Sequence, residues 1–333
     1  MGNQPTVKVD WKVAICMEQF IRMLHHVGLP KTDIDYVYSD GPVFNELAVK
    51  GNARMTLFTG SQAVAEKLTL DLRGRVKLED AGFDWKVLGP DVGEVEYVTW
   101  QADQDAYAFS GQKCSAQSML IAHENWMQAG IVDKLRERAS KRSLEDLTIG
   151  PILSWDTPRI MKHIDACLTI PGAKLEFGGK ALSGHSIPEC YGAVEPTAVS
   201  IPLQAMLDDP EAFRLATTEL FGPFQVITSF AEGELPKVLE LLNRMENHLT
   251  AGVVSNDQHF LQSVLGNTIN GTIYAGIRAK TTAAPQQHWF GPSGDPRSAG
   301  IHTPEAIKLC WSSHREVIYD YGPVPPTWQP KTS

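Results

Sequence analysis

Short apolar runs and helical periodicity alternate along the first 80 residues. The apolar runs predict strands over residues 6–9, 34–38, 55–58 and 75–79. Between them, apolar side chains recur every three or four positions, which predicts helices such as the one that begins near Val13 and stops at Gly28. Strands that alternate with helices indicate a parallel sheet covered by helices, and therefore an α/β fold.

The same rhythm continues through the rest of the chain, with longer gaps between elements. Further helices are predicted over residues 93–109, 126–141, 157–168, 234–245 and 303–310. Further strands are predicted over residues 118–122, 197–201, 224–230, 250–255, 268–274 and 316–319. Residues 278–303 have the glycine and proline content of a loop. A length of 333 residues favours two domains.

Composition narrows the classes of function. The chain has 30 lysines and arginines against 39 aspartates and glutamates, which gives a net charge of −9. An acidic balance argues against a nucleic-acid partner, which needs a basic surface, and against adhesion to anionic membranes. The apolar runs are also shorter than the roughly 18–20 residues of a membrane span.

The five cysteines are scattered along the chain and form no CxxC pair. The ten histidines likewise lack the spacing of a zinc-binding motif. We therefore expect no disulfide framework, no metal and a reducing compartment.

Cys114 lies in the segment that best fits a nucleophile. Residues 110–116 read Ser-Gly-Gln-Lys-Cys-Ser-Ala and lie between a predicted helix and a predicted strand. The glycine permits close backbone approach, and neighbouring N–H groups can stabilise a thiolate and later an oxyanion. A buried, inert cysteine is the alternative, and it is the interpretation we give to the other four cysteines.

Two predicted strands end in residues suited to an active site of a parallel sheet. Glu79 ends one strand, where a partly desolvated carboxylate can act as a general base; a solvated strand end is the alternative. Ser61 follows Gly60 between a strand and a helix, where backbone N–H groups and a hydroxyl can bind phosphate. A plain helix cap is the alternative for Ser61. No GxGxxG or Walker sequence occurs, so any nucleotide binds through another loop.

A third segment, residues 218–224, reads Thr-Glu-Leu-Phe-Gly-Pro-Phe just before a predicted strand. Glu219 can accept hydrogen bonds from ribose hydroxyls, and Phe221 can pack against a ring. A structural turn is the alternative for this segment.

Together these segments resemble the aldehyde dehydrogenase superfamily over essentially the whole chain. Lys8 after a strand, Phe-Thr-Gly-Ser at 58–61, Leu-Glu at 78–79, Gly-Gln-Lys-Cys at 111–114 and Glu-Leu-Phe-Gly-Pro at 219–223 occur in the family's order and approximate spacing. Gly-Gln-Lys-Cys-Ser-Ala and residues 281–291 are similar to Δ1-pyrroline-5-carboxylate dehydrogenases, which oxidise glutamate semialdehyde. Residues 78–91 and 291–308 resemble the plant-type branch, family 12.

The resemblance implies catalytic and substrate-binding roles. Cys114 would attack the aldehyde as a thiolate, and Glu79 would activate the water that releases glutamate. Ser115 and the backbone around Thr282 and Ala283 would hold the α-carboxylate of the substrate.

The resemblance also implies a cofactor, and it favours NAD over NADP. Lys8 would bind the adenosine ribose and Ser61 the pyrophosphate. Glu219 would bind the nicotinamide ribose, and Phe221 would pack near the nicotinamide ring.

The resemblance further implies an architecture: a partial Rossmann-type NAD-binding domain over residues 1–81, a catalytic α/β domain over 82–300, and a C-terminal helix, oligomerisation strand and tail over 301–333. Superfamily members have a further N-terminal portion before the strand that carries Lys8. Nothing in this sequence matches that portion, so we expect an N-terminally truncated chain with weak activity. A homo-oligomer and a mitochondrial location are implied as well.

Two other functions remain open. The chain can be a non-catalytic subunit that associates with full-length enzyme, or a hydrolase that uses Cys114 without a cofactor. Co-purification with a longer subunit would favour the first, and cofactor-independent esterase turnover would favour the second.

Overall fold

The computed structural model describes residues 2–80, 82–246, 248–282 and 288–330. The strands are β1 (Thr6–Val7), β2 (Asp35–Tyr36), β3 (Thr56–Thr59), β4 (Val76–Glu79), β5 (Asp84–Leu88), β6 (Gln117–His123), β7 (Lys174–Phe177), β8 (Thr197–Ser200), β9 (Phe224–Phe230), β10 (Thr250–Val254) and β11 (Thr272–Ala275). The helices are α1 (Ala14–His26), α2 (Gly41–Lys50), α3 (Gln62–Asp71), α4 (Val95–Tyr107), α5 (Glu124–Gln128), α6 (Ile131–Ala139), α7 (Thr157–Leu168), α8 (Leu203–Asp208), α9 (Pro210–Ala216), α10 (Leu235–Asn243), α11 (Gln258–Leu265) and α12 (Pro304–Trp311). Strands that alternate with helices confirm the predicted α/β class. In the described part of the chain, no helix is long and apolar enough to cross a membrane.

A seven-stranded sheet holds the main core. Its order is β11-β10-β5-β6-β9-β8-β7, and every pair is parallel except β7 with β8. Successive side chains of a strand point to opposite faces. Accordingly, Trp85 and Ile121 belong to a cluster on one face, whereas Leu88 and Leu120 belong to a second cluster. Helices cover both faces, so the central strands are buried on both sides.

Two smaller sheets precede the large one. β1 pairs with β2, and β3 pairs with β4, both in parallel. The far edge of β4 is bound by a C-terminal loop: the backbone N–H of Leu78 donates to Arg297 (2.9 Å), and the N–H of Ala299 donates to the carbonyl of Leu78 (2.8 Å). The register places Thr59 beside Glu79, so β3 and β4 end together. The residues after these two strands are therefore neighbours.

Most predicted elements are confirmed, several with the predicted bounds. α7 and β9 cover the predicted residues 157–168 and 224–230. The predicted helix over 126–141 is wrong as one element, because Gly130 adopts a φ of 76° and separates α5 from α6. A left-handed residue of this kind cannot continue an α-helix, and glycine adopts it without a steric penalty.

The predicted C-terminal strand over residues 316–319 is wrong for the structure of this chain. These residues form no strand, and Ile318 and Tyr319 are exposed. A single extended segment is not stable by itself, because its backbone groups need a partner strand. The division into domains at residues 81 and 300 stays a prediction.

Candidate active site

Cys114 lies in a turn that connects α4 to β6. The chain passes through a short 3-10 turn, Ala108–Gly111, before it reaches the cysteine. Gly111 has a φ of 67°, and a Cβ on it would lie 2.2 Å from the carbonyl oxygen of Gly222. Only glycine fits this contact, which confirms the close backbone approach predicted for this position.

Gln112 holds the turn against a neighbouring loop. Its side-chain amide donates to the carbonyl of Pro151 (3.0 Å), and its carbonyl accepts from the backbone N–H of Leu153 (2.8 Å). The Gly-Gln pair of the motif therefore fixes the backbone on which Cys114 is mounted.

The Cys114 thiol and the Glu79 carboxylate are hydrogen-bonded neighbours. Glu79 ends β4 and is 9% exposed, and burial raises the pKa of its carboxyl. Burial raises the pKa of the Cys114 thiol as well, and the negative charge of Glu79 raises it further. In the resting protein the sulfur thus keeps its proton, and the S–H group donates a hydrogen bond to the Glu79 carboxylate.

Two further carboxyl groups face this pair. Burial, followed by the charge of Glu79, raises the pKa of Glu219 to about 7. Asp84 is fully buried and accepts from the backbone N–H of Thr250 (2.8 Å); burial raises the pKa of Asp84 well above its ordinary value. The side chain of Glu219 lies over Gly82, where a Cβ would come within 2.1 Å of its Oε1 atom. Glycine at 82 therefore leaves room for Glu219 beside the thiol.

Phe221 lies close to Glu219 on the same turn. It has a φ of 47° and is 36% exposed. One small cavity is lined by Lys113, Glu219 and Phe221, among others. The structure thus gathers Cys114, Glu79, Glu219 and Phe221 into one region.

The two remaining residues predicted to bind the cofactor lie in the N-terminal region. Ser61 directly precedes α3 and is exposed. Within the described residues 2–80, its side chain makes no capping hydrogen bond to the helix. The N–H of the adjacent Gly60 donates to the backbone carbonyl of Glu79 (3.1 Å), so the Ser61 turn adjoins the strand end that carries the carboxylate. Lys8 follows β1 in the other small sheet and is partly buried.

The predicted substrate-binding residues are only partly described. Ser115 is 3% exposed, directly after the cysteine. Thr282 makes two side-chain hydrogen bonds, to Asp105 (2.7 Å) and from Lys113 (3.2 Å). Residues 283–287 of the family-like segment 281–291, Ala283 among them, lie outside the described residues.

Sequence reasoning missed a buried ion pair beside this site. The ammonium of Lys86 on β5 lies 2.6 Å from the carboxylate of Asp105 on α4, and both side chains are fully buried. A signal was available, since each charged residue stands among apolar positions of its own element: Lys86 between Trp85 and Val87, and Asp105 next to Ala106. Charged residues at core positions are rare unless they are paired.

A thiol joined to a buried carboxylate beside the ends of parallel strands is suited to covalent catalysis. The chain belongs to the aldehyde dehydrogenase family, whose sequence pattern matches residues 1–294. It is 63% identical over 329 residues to a protein named Delta-1-pyrroline-5-carboxylate dehydrogenase 12A1, mitochondrial, from Arabidopsis thaliana, and 62% identical over 329 residues to a probable aldehyde dehydrogenase from Linum usitatissimum. Both alignments cover 99% of this chain but 59% and 60% of those proteins. The chain thus spans about three fifths of the length of these relatives.

Solved structures confirm the aldehyde dehydrogenase-like α/β fold. A 1-pyrroline-5-carboxylate dehydrogenase from Thermus with bound NAD superposes with a TM-score of 0.79 at 23% identity, covering 93% of this chain and 59% of that one. A bifunctional proline utilization A protein superposes with a TM-score of 0.77 at 23% identity, covering 91% of this chain and 30% of that one.

Proposed function

We propose that this chain carries the catalytic centre for NAD-dependent oxidation of L-glutamate 5-semialdehyde, the open form of Δ1-pyrroline-5-carboxylate, to glutamate. The observation that carries the proposal is the hydrogen-bonded pair of Cys114 and Glu79. The substrate class is supported by the Arabidopsis relative, which is named for Δ1-pyrroline-5-carboxylate. The name of that relative also supports a mitochondrial location.

Cys114 supplies the nucleophile. The thiol passes its proton to the Glu79 carboxylate, and the sulfur adds to the aldehyde carbon, which converts the carbonyl oxygen into an oxyanion and forms a thiohemiacetal. Backbone N–H groups of the turn around the cysteine are suited to stabilise that oxyanion. Loss of hydride from the same carbon leaves a thioester on the sulfur.

Glu79 supplies the base. Once the proton taken from the thiol has left to solvent, the Glu79 carboxylate takes a proton from a water molecule, and the resulting hydroxide adds to the thioester carbon. The carbon–sulfur bond then breaks, which frees glutamate, and the proton held by Glu79 passes to the departing sulfur and restores the thiol. A raised pKa suits Glu79 to this task, because a base works best when its pKa lies nearer the working pH.

The residues present fit NAD at the phosphate end. Ser61 is exposed at the start of α3, and its turn is bonded to the strand end that carries Glu79. The N-terminus of a helix carries a partial positive charge that favours phosphate. When bound, NAD+ supplies the hydride acceptor. We assign Ser61 to the pyrophosphate, Lys8 to the adenosine ribose, and Glu219 and Phe221 to the nicotinamide half.

The substrate's α-carboxylate is assigned to residues next to the Cys114 turn. Ser115 follows the nucleophile directly, and Thr282 is tied to Lys113, which precedes it. We therefore assign Ser115 and the backbone of Thr282 and Ala283 to the carboxylate.

The test is production of NADH from NAD+ and glutamate semialdehyde by the chain and two variants. We expect NADH production that Cys114→Ala abolishes. Glu79→Gln should slow steady turnover and allow a thioester on Cys114 to accumulate, which mass spectrometry of the intact protein would detect. No NADH together with no adduct in any form of the chain would contradict the proposal.

A second candidate function is association with a longer relative. Apolar side chains that are exposed in the N-terminal region favour it, since their burial against another subunit would remove apolar surface from water. They include Ile15, Met23, Val27, Val43, Leu47 and Leu70. Size-exclusion chromatography with light scattering, on the chain alone and mixed with the Arabidopsis relative, tests this candidate. A mixed complex would support it, whereas a monodisperse monomer that stays separate from the relative would exclude it.

A further inference from the structure

Asp105 connects α4, the helix that precedes the Cys114 turn, to the loop that begins at residue 281. Its side chain is fully buried on α4. The carboxylate accepts from the backbone N–H of Thr281 (2.9 Å) and from both the N–H (3.3 Å) and the hydroxyl (2.7 Å) of Thr282. One carboxylate therefore holds two consecutive residues of the loop.

Both oxygens of Asp105 are fully used. Oδ2 accepts from Lys86 (2.6 Å) and Thr281, and Oδ1 accepts from Gln101 (2.9 Å) and Thr282. Burial alone would raise the pKa of Asp105, but the Lys86 ammonium and these hydrogen bonds hold it below its usual value. Every partner is a donor, so the arrangement requires an ionised carboxylate rather than an amide.

Thr282 extends the connection to the nucleophile turn. Its hydroxyl donates to Asp105 and accepts from the ammonium of Lys113, whose second partner is the backbone carbonyl of Gln104 (2.8 Å). Lys113 immediately precedes Cys114. A short series of hydrogen bonds therefore runs from the buried ion pair through the loop to the residue beside the thiol.

We infer that Asp105 is a positioning residue that holds Thr282 and Lys113 at the distance from Cys114 that a carboxylate-bearing aldehyde requires. The inference rests on the proposed function, because it takes the loop at Thr282 to be the carboxylate site. Asp105 itself does not touch the reacting atoms. It acts by fixing the backbone N–H groups and the hydroxyl of the loop before the substrate arrives, which reduces the ordering cost of binding.

The variant that tests this is Asp105→Asn. The asparagine NH2 group replaces one carboxylate oxygen and cannot accept a hydrogen bond. It therefore faces two donors, either those of Lys86 and Thr281 or those of Gln101 and Thr282, and one of the two threonines is released. A matched control exists on the same helix. Asp103 is also buried, but it pairs with Arg142 (2.5 Å), away from the loop. Asp103→Asn therefore breaks a buried pair of the same kind without touching Thr282.

The readout is protection of Cys114 from iodoacetamide by L-glutamate, followed at that peptide by mass spectrometry. We expect the glutamate concentration for half-protection to rise about tenfold in Asp105→Asn, since a released buried polar group costs about one to three kcal/mol. It should remain unchanged in Asp103→Asn. Thr282→Val, which removes only the bridging hydroxyl, should give about a threefold rise.

A second readout separates this inference from the proposed function. Hydrogen exchange of the amides of Thr281 and Thr282 should be faster in Asp105→Asn than in Asp103→Asn, with no ligand present. Unchanged exchange, or equal half-protection in the two variants, would overturn the positioning role. Faster exchange in a protein that glutamate never protects would instead overturn the proposed substrate.

Discussion

The two groups proposed to be catalytic, Cys114 and Glu79, come from regions that differ greatly in how they are packed. The sheet region, residues 82–282, buries whole strands: all five residues of β5 are buried, and its core clusters lie on both faces of one seven-stranded sheet. The N-terminal region, residues 2–80, has two separate two-stranded sheets and a cluster of four buried residues contributed by α3, its C-terminal end and β4. Cys114 belongs to the first region and Glu79 to the second.

The difference shows that the geometry of the site depends on the junction between the regions. β4 is held by the loop over residues 297–299 and not only by its own sheet. In addition, Arg297 pairs with Glu66 on α3 (2.7 Å) and with Asp295 (2.6 Å). The C-terminal loop therefore helps, together with β3, to fix Glu79 beside the thiol.

The largest expected effect is the loss of stability when a core side chain of the sheet region is shortened. Ile121→Ala on β6 empties a fully buried site and should lower the free energy of unfolding by about 2–5 kcal/mol. Leu57→Ala on β3, where the side chain is 37% exposed, should lower it by only about 1 kcal/mol, because less apolar surface is lost from the folded state. Urea titration of both variants measures the contrast. A large loss for Leu57→Ala would show that β3 is covered in solution, and would favour the second candidate function.

A smaller effect is expected on the pH dependence of the free energy of unfolding. Burial raises the pKa of Glu219 from an ordinary value of 4.5 to about 7, so the folded state retains a proton that the unfolded chain has released. The contribution of Glu219 to stability is then present below pH 4.5 and is lost as the pH rises to 7. Glu219→Gln removes this dependence, which should lessen the fall in unfolding free energy between pH 5 and pH 8 by about 2 kcal/mol. Identical pH dependence in the variant and the parent chain would contradict the assignment of Glu219 as a buried carboxyl.

The sequence predicts those elements whose pattern is local. The apolar residues of α7 recur at helical spacing and Asp156 caps its first turn, so its bounds follow from the sequence. β5 was missed because all its positions are buried, which removes the alternation, and because Lys86 interrupts the apolar run. The partner of Lys86 lies on α4, and no local pattern connects the two residues.

In the candidate site, too, residues in local motifs were predicted, whereas contacts between distant parts of the chain were not. Cys114 and Glu79 were found from motifs, and their contact depends on the packing of β4 against the rest of the molecule. The link from Asp105 to Thr282 spans 177 residues of sequence and was not predicted. The predicted strand over 316–319 fails for the related reason that strand formation depends on a partner, which the sequence of one segment does not contain.

The central claim, that the thiol of Cys114 and the carboxylate of Glu79 form one site, is tested most directly by the alkylation rate of Cys114 in Glu79→Gln. Exposed Cys16 in the same sample is the internal control. Because the Glu79 charge raises the pKa of the thiol, its removal should lower that pKa and speed the reaction of Cys114 with iodoacetamide. An unchanged or slower rate at Cys114, with Cys16 unaffected, would contradict the account.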